Sequence, residues 1–219
     1  MCAIFFTEAA KKDILAHKAS GNLSLLRNGM IACFALLAAF LTYRSVSLFG
    51  PGLSPDSVGY LKLADDIAHR GLAFLTEPLS ISQPPAYPAA LAALATAAKT
   101  TPLAAATWAN VLCAAALVAL TLAAVARLTG SLSALLFCGL LLCFSKPLST
   151  VWSMAWTEPP FILLTLSVLI LAPQERRPLL CALLAGLLAA AGCLTRYAGV
   201  VLIPAVSLFL LVAPPRASL

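Results

Sequence analysis

Three charged residues lie far apart in the chain yet are of types that could do chemistry together: Asp56, Glu158 and Arg196. Asp56 follows Ser54-Pro55, an N-cap residue and a first-turn proline, so its carboxylate falls where a helix dipole favours the ionised form. Glu158 precedes Pro159-Pro160 and has the same place at the start of a later helix. Two acids that meet on one membrane face form a carboxylate pair suited to general-base catalysis or to cation binding. Taken singly, each has a simpler use as a charge complementing a helix N-terminus. Arg196, in Leu194-Thr195-Arg196-Tyr197, interrupts a long apolar stretch. It is either an interfacial anchor or a functional group, and its planar fork of donors suits phosphate. Lys146, beside Pro147, is a second phosphate candidate, although snorkelling to the interface is its simpler use.

The element that carries Asp56 runs from Pro55 to Gly71. At 3.6 residues per turn, Asp56, Tyr60, Leu63 and Ile67 share one face, while Lys62, Asp65 and Asp66 point elsewhere. An acid and a phenol thus sit beside an apolar stripe able to rest on a membrane surface, as in an amphipathic interfacial helix. Trp152 and Trp156, just before Glu158, read as an interfacial aromatic belt.

These residues are set in a chain of 219 residues, 62% apolar and only 10% charged, with mean hydropathy +0.99. Soluble domains carry about 45–50% apolar and about 25% charged residues, so too little polar surface is present to cover a water-soluble globule. The same arithmetic excludes a secreted disulfide scaffold, a nucleic-acid-binding domain and an acidic disordered tail. The expectation is an all-α, polytopic transmembrane bundle, with the net charge of +6 anchoring loops at the lipid surface. The seven cysteines lie almost entirely in apolar runs without CxxC spacing, and His17 and His69 are isolated. Packing is therefore the expected role of the thiols. Neither metal nor cofactor is expected; a divalent cation on Asp56 and Glu158 is conceivable, but no spacing supports it. No P-loop, GxGxxG or nucleophile elbow is present.

Residues 1–28 read as a cytoplasmic segment and 29–213 as the membrane module, with an outer loop at 50–102 and a tail at 214–219. Gly29 to Phe49 is long enough to span as a signal anchor, about 32 Å of helix. Pro84 to Ala98 is short, about 22 Å. If it does not cross, Arg127, Arg176, Arg177 and Arg216 join Lys11, Lys12, Lys18 and Arg27 inside, placing 8 of the 14 basic residues there. That choice leaves six spans: the first run, then 102–126, 131–152, 159–172, 179–194 and 197–213. It also puts Asp56, Glu158 and Arg196 on one outer side.

The string Pro55-Asp56-Ser57-x-x-Tyr60-x-x-x-Ala64, then Gly71, then Gln83-Pro84-Pro85-x-Tyr87-Pro88, resembles the first outer loop of the GT-C membrane glycosyltransferases. The nearest resemblance is to the polyprenyl-phosphate-dependent group with protein O-mannosyltransferases and lipid A aminoarabinose transferases. Trp156-Thr157-Glu158-Pro159 resembles that family's second outer acidic site. Ala185-Gly186-Leu187 through Leu194-Thr195-Arg196-Tyr197-Ala198-Gly199-Val200, ending at Pro204, resembles its helical hairpin. The resemblance spans residues 29–213 in the expected order and matches the N-terminal part of longer family members. Gln83 stands where relatives often have Lys.

The resemblance implies an inverting glycosyltransferase that moves a hexosyl or pentosyl group from a polyprenyl-phosphate carrier to a hydroxyl on a glycan, lipid or protein acceptor. Asp56 would be the general base and Glu158 the second acid; Arg196 would meet the carrier phosphate, with Lys146 its alternative, and Tyr60 and Tyr87 would line the substrate site. The implied location is a bacterial inner membrane, with the N-terminus cytoplasmic. A transporter or flippase-like protein, or an accessory subunit handling lipid-linked substrates without catalysis, is the competing reading. Against the transporter, the charges sit at segment ends and no internal repeat is present.

Overall fold

The computed structural model describes residues 2–71, 83–172 and 178–212, with 2–22, 178, 210 and 212 described as backbone alone. The inner-side charges Lys11, Lys12, Lys18, Arg176, Arg177 and Arg216, and the tail 214–219, thus lie outside the described side chains. Among the described residues the chain is all-helical, apart from one isolated β-bridge.

Helix α1 spans Cys2–Val46, α2 Pro55–Arg70, α3 Ala86–Ala98 and α4 Pro102–Thr129. After them come α5 Leu132–Phe144, α6 Lys146–Trp152, α7 Glu158–Leu171, α8 Pro178–Thr195, a 3-10 turn Tyr197–Val201 and α9 Leu202–Val212. Local chemistry sets several of these boundaries. Thr101 accepts from the Ala104 amide and Pro102 opens α4; Ser131 accepts from the Ala134 amide to start α5. Two helices are long and apolar enough to cross a membrane, Leu23–Val46 and Pro102–Thr129; α3, α7, Leu179–Thr195 and Tyr197–Phe209 are shorter apolar helices.

The run 131–152, expected as one segment, is broken. Pro147 lacks an amide hydrogen and its ring would strike the carbonyl four residues back, so α5 stops at Phe144 and α6 restarts at 55° to it. Counted as one bent span, this pair is a third candidate crossing.

The end of α1 and the start of α4 meet. Tyr43 stacks on Trp108 with ring centroids 5.6 Å apart, and Gly50 lies against Leu103. The chain therefore leaves and re-enters the bundle at the same end, with α2 and α3 packed together on it. Their core joins Tyr60, Leu63, Ala64 and Ile67 of α2 to Tyr87, Leu91 and Ala92 of α3 and to Ala105 and Ala106 at the start of α4. This corrects one expectation: the apolar stripe of α2 is covered by α3 and α4 rather than resting on lipid. A second cluster joins α1, α4, α5 and α6 through Ala38, Ala114, Leu122, Leu135 and Trp152. Trp152, expected in an interfacial belt, is buried there instead. A third cluster holds α8 against α7 and α9 through Val168, Ala185, Ala189 and Val206. Outside these cores Leu36, Phe40, Phe137, Leu141, Leu169 and Leu187 are each more than half exposed, a surface that water does not tolerate without cover.

Candidate functional site

Ser54 and Ser57 form a reciprocal capping box that starts α2. The Ser57 amide donates to Ser54 Oγ at 3.3 Å, and the Ser54 amide to Ser57 Oγ at 3.0 Å. Asp56 is thereby fixed in the first turn, where its carboxylate is exposed and stabilised by the helix dipole. Among the described residues it makes no ion pair.

Glu158 is brought to Asp56 by stitching between two distant loops. The Gly52 amide donates to the Ser153 carbonyl at 2.7 Å, and the Ala155 amide to the Gly52 carbonyl at 2.9 Å, a parallel bridge. Asn110 of α4, wholly buried, donates through Nδ2 to the carbonyls of Trp152 and Met154 at 2.9 and 2.7 Å. Trp156 Nε1 donates to Ser54 Oγ at 2.9 Å, tying the residue before Thr157 to the cap of α2. Gly52 packs closely against the Met154 side chain, so a Cβ there would require Met154 Sδ to move. Asn110→Leu should leave the buried Trp152 carbonyl unsatisfied, at about 1–3 kcal/mol, while the Met154 carbonyl keeps the Trp156 amide at 2.9 Å, and should lower the melting temperature of the detergent-solubilised protein. An unchanged melting temperature would contradict this account of the stitch.

Arg196 reaches the same place from the C-terminal side. Helix α8 ends at Thr195, Arg196 is extended, and the chain turns back through the 3-10 turn. The turn is closed by the Gly199 amide donating to the Arg196 carbonyl at 2.7 Å, and the Gly199 backbone packs against Gly192 so tightly that a Cβ would strike the Gly192 carbonyl. At the apex, Arg196 Nη1 pairs with Glu158 Oε1.

Ser54, Pro55, Asp56, Tyr60, Trp156, Glu158 and Arg196 line one cavity of about 310 Å³. Four residues expected at a site, Asp56, Tyr60, Glu158 and Arg196, thus stand around one space at one end of the bundle. Two are placed elsewhere. Tyr87 is buried in the α2–α3 core, edge-on to the Tyr60 ring at 5.7 Å, so it supports Tyr60 rather than facing the cavity. Lys146 is exposed at the start of α6 and does not line the cavity. Tyr60 hydrogen-bonds Thr157, and burial, helped by the Asp56 charge, pushes its phenol up from its ordinary value, so it remains a neutral hydroxyl in the physiological range. Burial pushes the Tyr87 phenol up as well.

The sequence marks Ser54 as the cap of α2 and Trp156-Thr157 as part of the acidic motif but not the Trp156–Ser54 hydrogen bond that joins them, and it does not mark Asn110 as a builder of the site. Asn110 had a signal: it is the single amide within the apolar run of α4, and a polar group there needs a partner. Among the described residues, no group of three or more His, Cys, Asp or Glu could hold a metal ion. Comparisons with protein-family models, with curated proteins and with solved structures find no match to the chain.

Proposed function

We propose that the chain is a polytopic membrane protein of six spans that transfers a sugar from a polyprenyl-phosphate carrier to an acceptor hydroxyl on the outer face. The spans are α1, α4, the bent α5–α6 pair, α7, α8 and the turn with α9. The carrying observation is that Asp56, Glu158 and Arg196, from three distant parts of the chain, line one cavity.

In this reading Asp56 accepts the proton of the acceptor hydroxyl, whose oxygen attacks the anomeric carbon from the side opposite the carrier. The bond from that carbon to the phosphate oxygen breaks, and the electron pair leaves with the phosphate. The new anion is neutralised by Arg196, whose guanidinium offers a bidentate fork. Tyr60, neutral and held by Thr157, supplies a hydroxyl to orient the sugar. Trp156 offers an apolar face beside it. With an outer-facing cavity the N-terminus is cytoplasmic, and the carrier chemistry fits a bacterial inner membrane.

Glu158 has two tasks here. It holds Arg196 at the cavity rim while the site is empty, and it competes with an incoming phosphate for that cation. The side chains are 39% and 30% exposed, so the pair is partly screened and the competition is worth about 0.2–1 kcal/mol. Glu158→Gln should therefore bind farnesyl phosphate up to about fivefold more tightly, as read by isothermal titration. Weaker binding by that variant would contradict the competition.

The donor class is the direct test. Membranes containing the protein should transfer radiolabelled sugar supplied on a polyprenyl phosphate and should not use the same sugar on a nucleotide. Transfer from the nucleotide donor with carrier absent would overturn the proposal. The position of the cavity at an end of the bundle favours this reading over a transporter, whose polar site belongs near the bilayer midplane.

A further inference from the structure

Trp156 stands two residues before Glu158, and Ser54 stands two residues before Asp56. The hydrogen bond from Trp156 Nε1 to Ser54 Oγ, at 2.9 Å, therefore joins the two acid-bearing segments at matching steps from their carboxylates. Ser54 Oγ also accepts the Ser57 amide at 3.3 Å and lies 3.0 Å from Ser57 Oγ. An indole N–H and an amide N–H can only donate, so together they fill both lone pairs of the Ser54 hydroxyl. Its hydrogen then goes to Ser57 Oγ, which also accepts the Ser54 amide at 3.0 Å. Ser57 is wholly buried, so water does not compete at that end. The indole thus selects one arrangement of the capping box. Without it, the Ser54 hydroxyl is free to accept from Ser57 instead, and the cap has two arrangements.

The next residue, Thr157, meets the same helix six residues further on. Thr157 holds the N-cap position of α7, yet its side chain makes no capping hydrogen bond there. It hydrogen-bonds Tyr60 instead. Consecutive residues of the loop before α7 thus hold α2 at its cap and at its second turn, and Asp56 lies between the two points. A single attachment leaves a helix start free to pivot, whereas two fix both its rotation and its advance along the axis. Pro55 stiffens the step from Ser54 to Asp56, because its ring fixes φ. The other links between these loops, from Gly52 to Ser153 and Ala155 and from Asn110 to Trp152 and Met154, all lie before Ser54 and Trp156 in the chain. They bring the segments together without holding the first turn of α2.

We propose that Trp156 is a positioning residue whose indole N–H, acting through Ser54, fixes the Asp56 carboxylate relative to Glu158 and Arg196. Its effect on sugar transfer rests on the reaction proposed above, whereas its effect on the start of α2 does not. A general base must stand within hydrogen-bond reach of the proton it takes, and a misplacement of about 1 Å costs up to about 10²-fold in rate. Trp156 also lines the cavity, so the informative substitution is one that removes the N–H and keeps an aromatic ring. Trp156→Phe does this.

The test compares the whole protein in detergent with Trp156→Phe, Ser54→Thr, Ser54→Ala and the double variant Trp156→Phe/Ser54→Ala, by hydrogen–deuterium exchange and by transfer kinetics. In Trp156→Phe the amides at the start of α2, those of Ser54 and Ser57 among them, should exchange about fivefold faster, while those in the middle of α4 keep their wild-type rates. The same variant should lose about 10–10²-fold in kcat with the donor KM within about twofold of wild type. Ser54→Thr keeps the accepting oxygen and should match wild type, whereas Ser54→Ala should show the loss. The double variant should be no slower than Ser54→Ala, because both changes remove the same bond. Unchanged exchange at the start of α2 in Trp156→Phe would overturn the proposal. So would wild-type kcat in that variant, or losses that multiply in the double variant. If the wild-type protein transfers no sugar, the transferase reading fails by itself, and the exchange rates still decide whether Trp156 fixes the start of α2.

Discussion

Asp56→Asn should lower sugar transfer by about 10²–10⁴-fold, the usual contribution of a positioned general base. The substitution keeps the size and shape of the side chain at an exposed first-turn position, and the capping box of Ser54 and Ser57 does not involve it. Folding should therefore be retained, apart from about 0.3–1 kcal/mol of lost helix-dipole stabilisation at a surface charge. What the proposed reaction would lose is the acceptor for the hydroxyl proton. The deficit should lie in kcat rather than KM, because an amide still fills the space and still hydrogen-bonds the acceptor. Transfer kinetics with a saturating acceptor would read this, with a melting curve confirming that the variant is folded. Wild-type kcat in a folded Asp56→Asn protein would remove Asp56 from the chemistry.

Arg196→Gln should produce the second large loss, about 10²–10³-fold in transfer, comparable to removing one group that neutralises charge in a transition state. Two effects add. The departing phosphate loses its counter-charge, and Glu158 loses its partner, so the cavity changes from two carboxylates and one cation to two unopposed carboxylates. An anionic donor should then bind less well, raising its KM as well as lowering kcat. Adding Glu158→Gln to Arg196→Gln should restore part of the donor KM by removing the repulsion, and leave kcat low. Such a result separates a cation that acts on phosphate from one that merely pairs with Glu158. If both variants transferred sugar at the wild-type rate, Arg196 would be only a structural anchor.

Part of the fold is legible in the sequence itself. The long apolar runs marked α1 and α4, and the shortness of Pro84 to Ala98 together with the charge distribution argued against a crossing there. In the structure the same segment is α3, packed on α2 at the end where α1 and α4 meet. Asp56, Glu158 and Arg196 could be picked out because charges are scarce in this composition and each stands at a helix boundary. Other features escaped because they depend on tertiary contacts that no local period encodes. The bridge from Gly52 to Met154 joins segments some hundred residues apart and leaves only a glycine as its sign. Tyr87 and Tyr60 look alike in sequence and both are buried in the same core, yet only Tyr60 also borders the cavity. The Trp152–Trp156 pair followed the composition of an interfacial belt, but the first ring faces the α1–α4–α5 core and the second hydrogen-bonds Ser54. Periodicity gives the stripe on α2 but not what covers it, and for that reason a face suited to lipid proved to be packed by protein.

In the proposed reaction Asp56 as base and Arg196 as cation would act on the same bond within one cavity. Its most direct test is a mass balance in membranes supplied with a polyprenyl-phosphate-linked sugar and an acceptor, measuring sugar transferred and polyprenyl phosphate released. Wild-type protein should give the two products one for one, and neither Asp56→Asn nor Arg196→Gln should give appreciable amounts of either. Undiminished transfer by either variant, or transfer without release of the carrier phosphate, would contradict it.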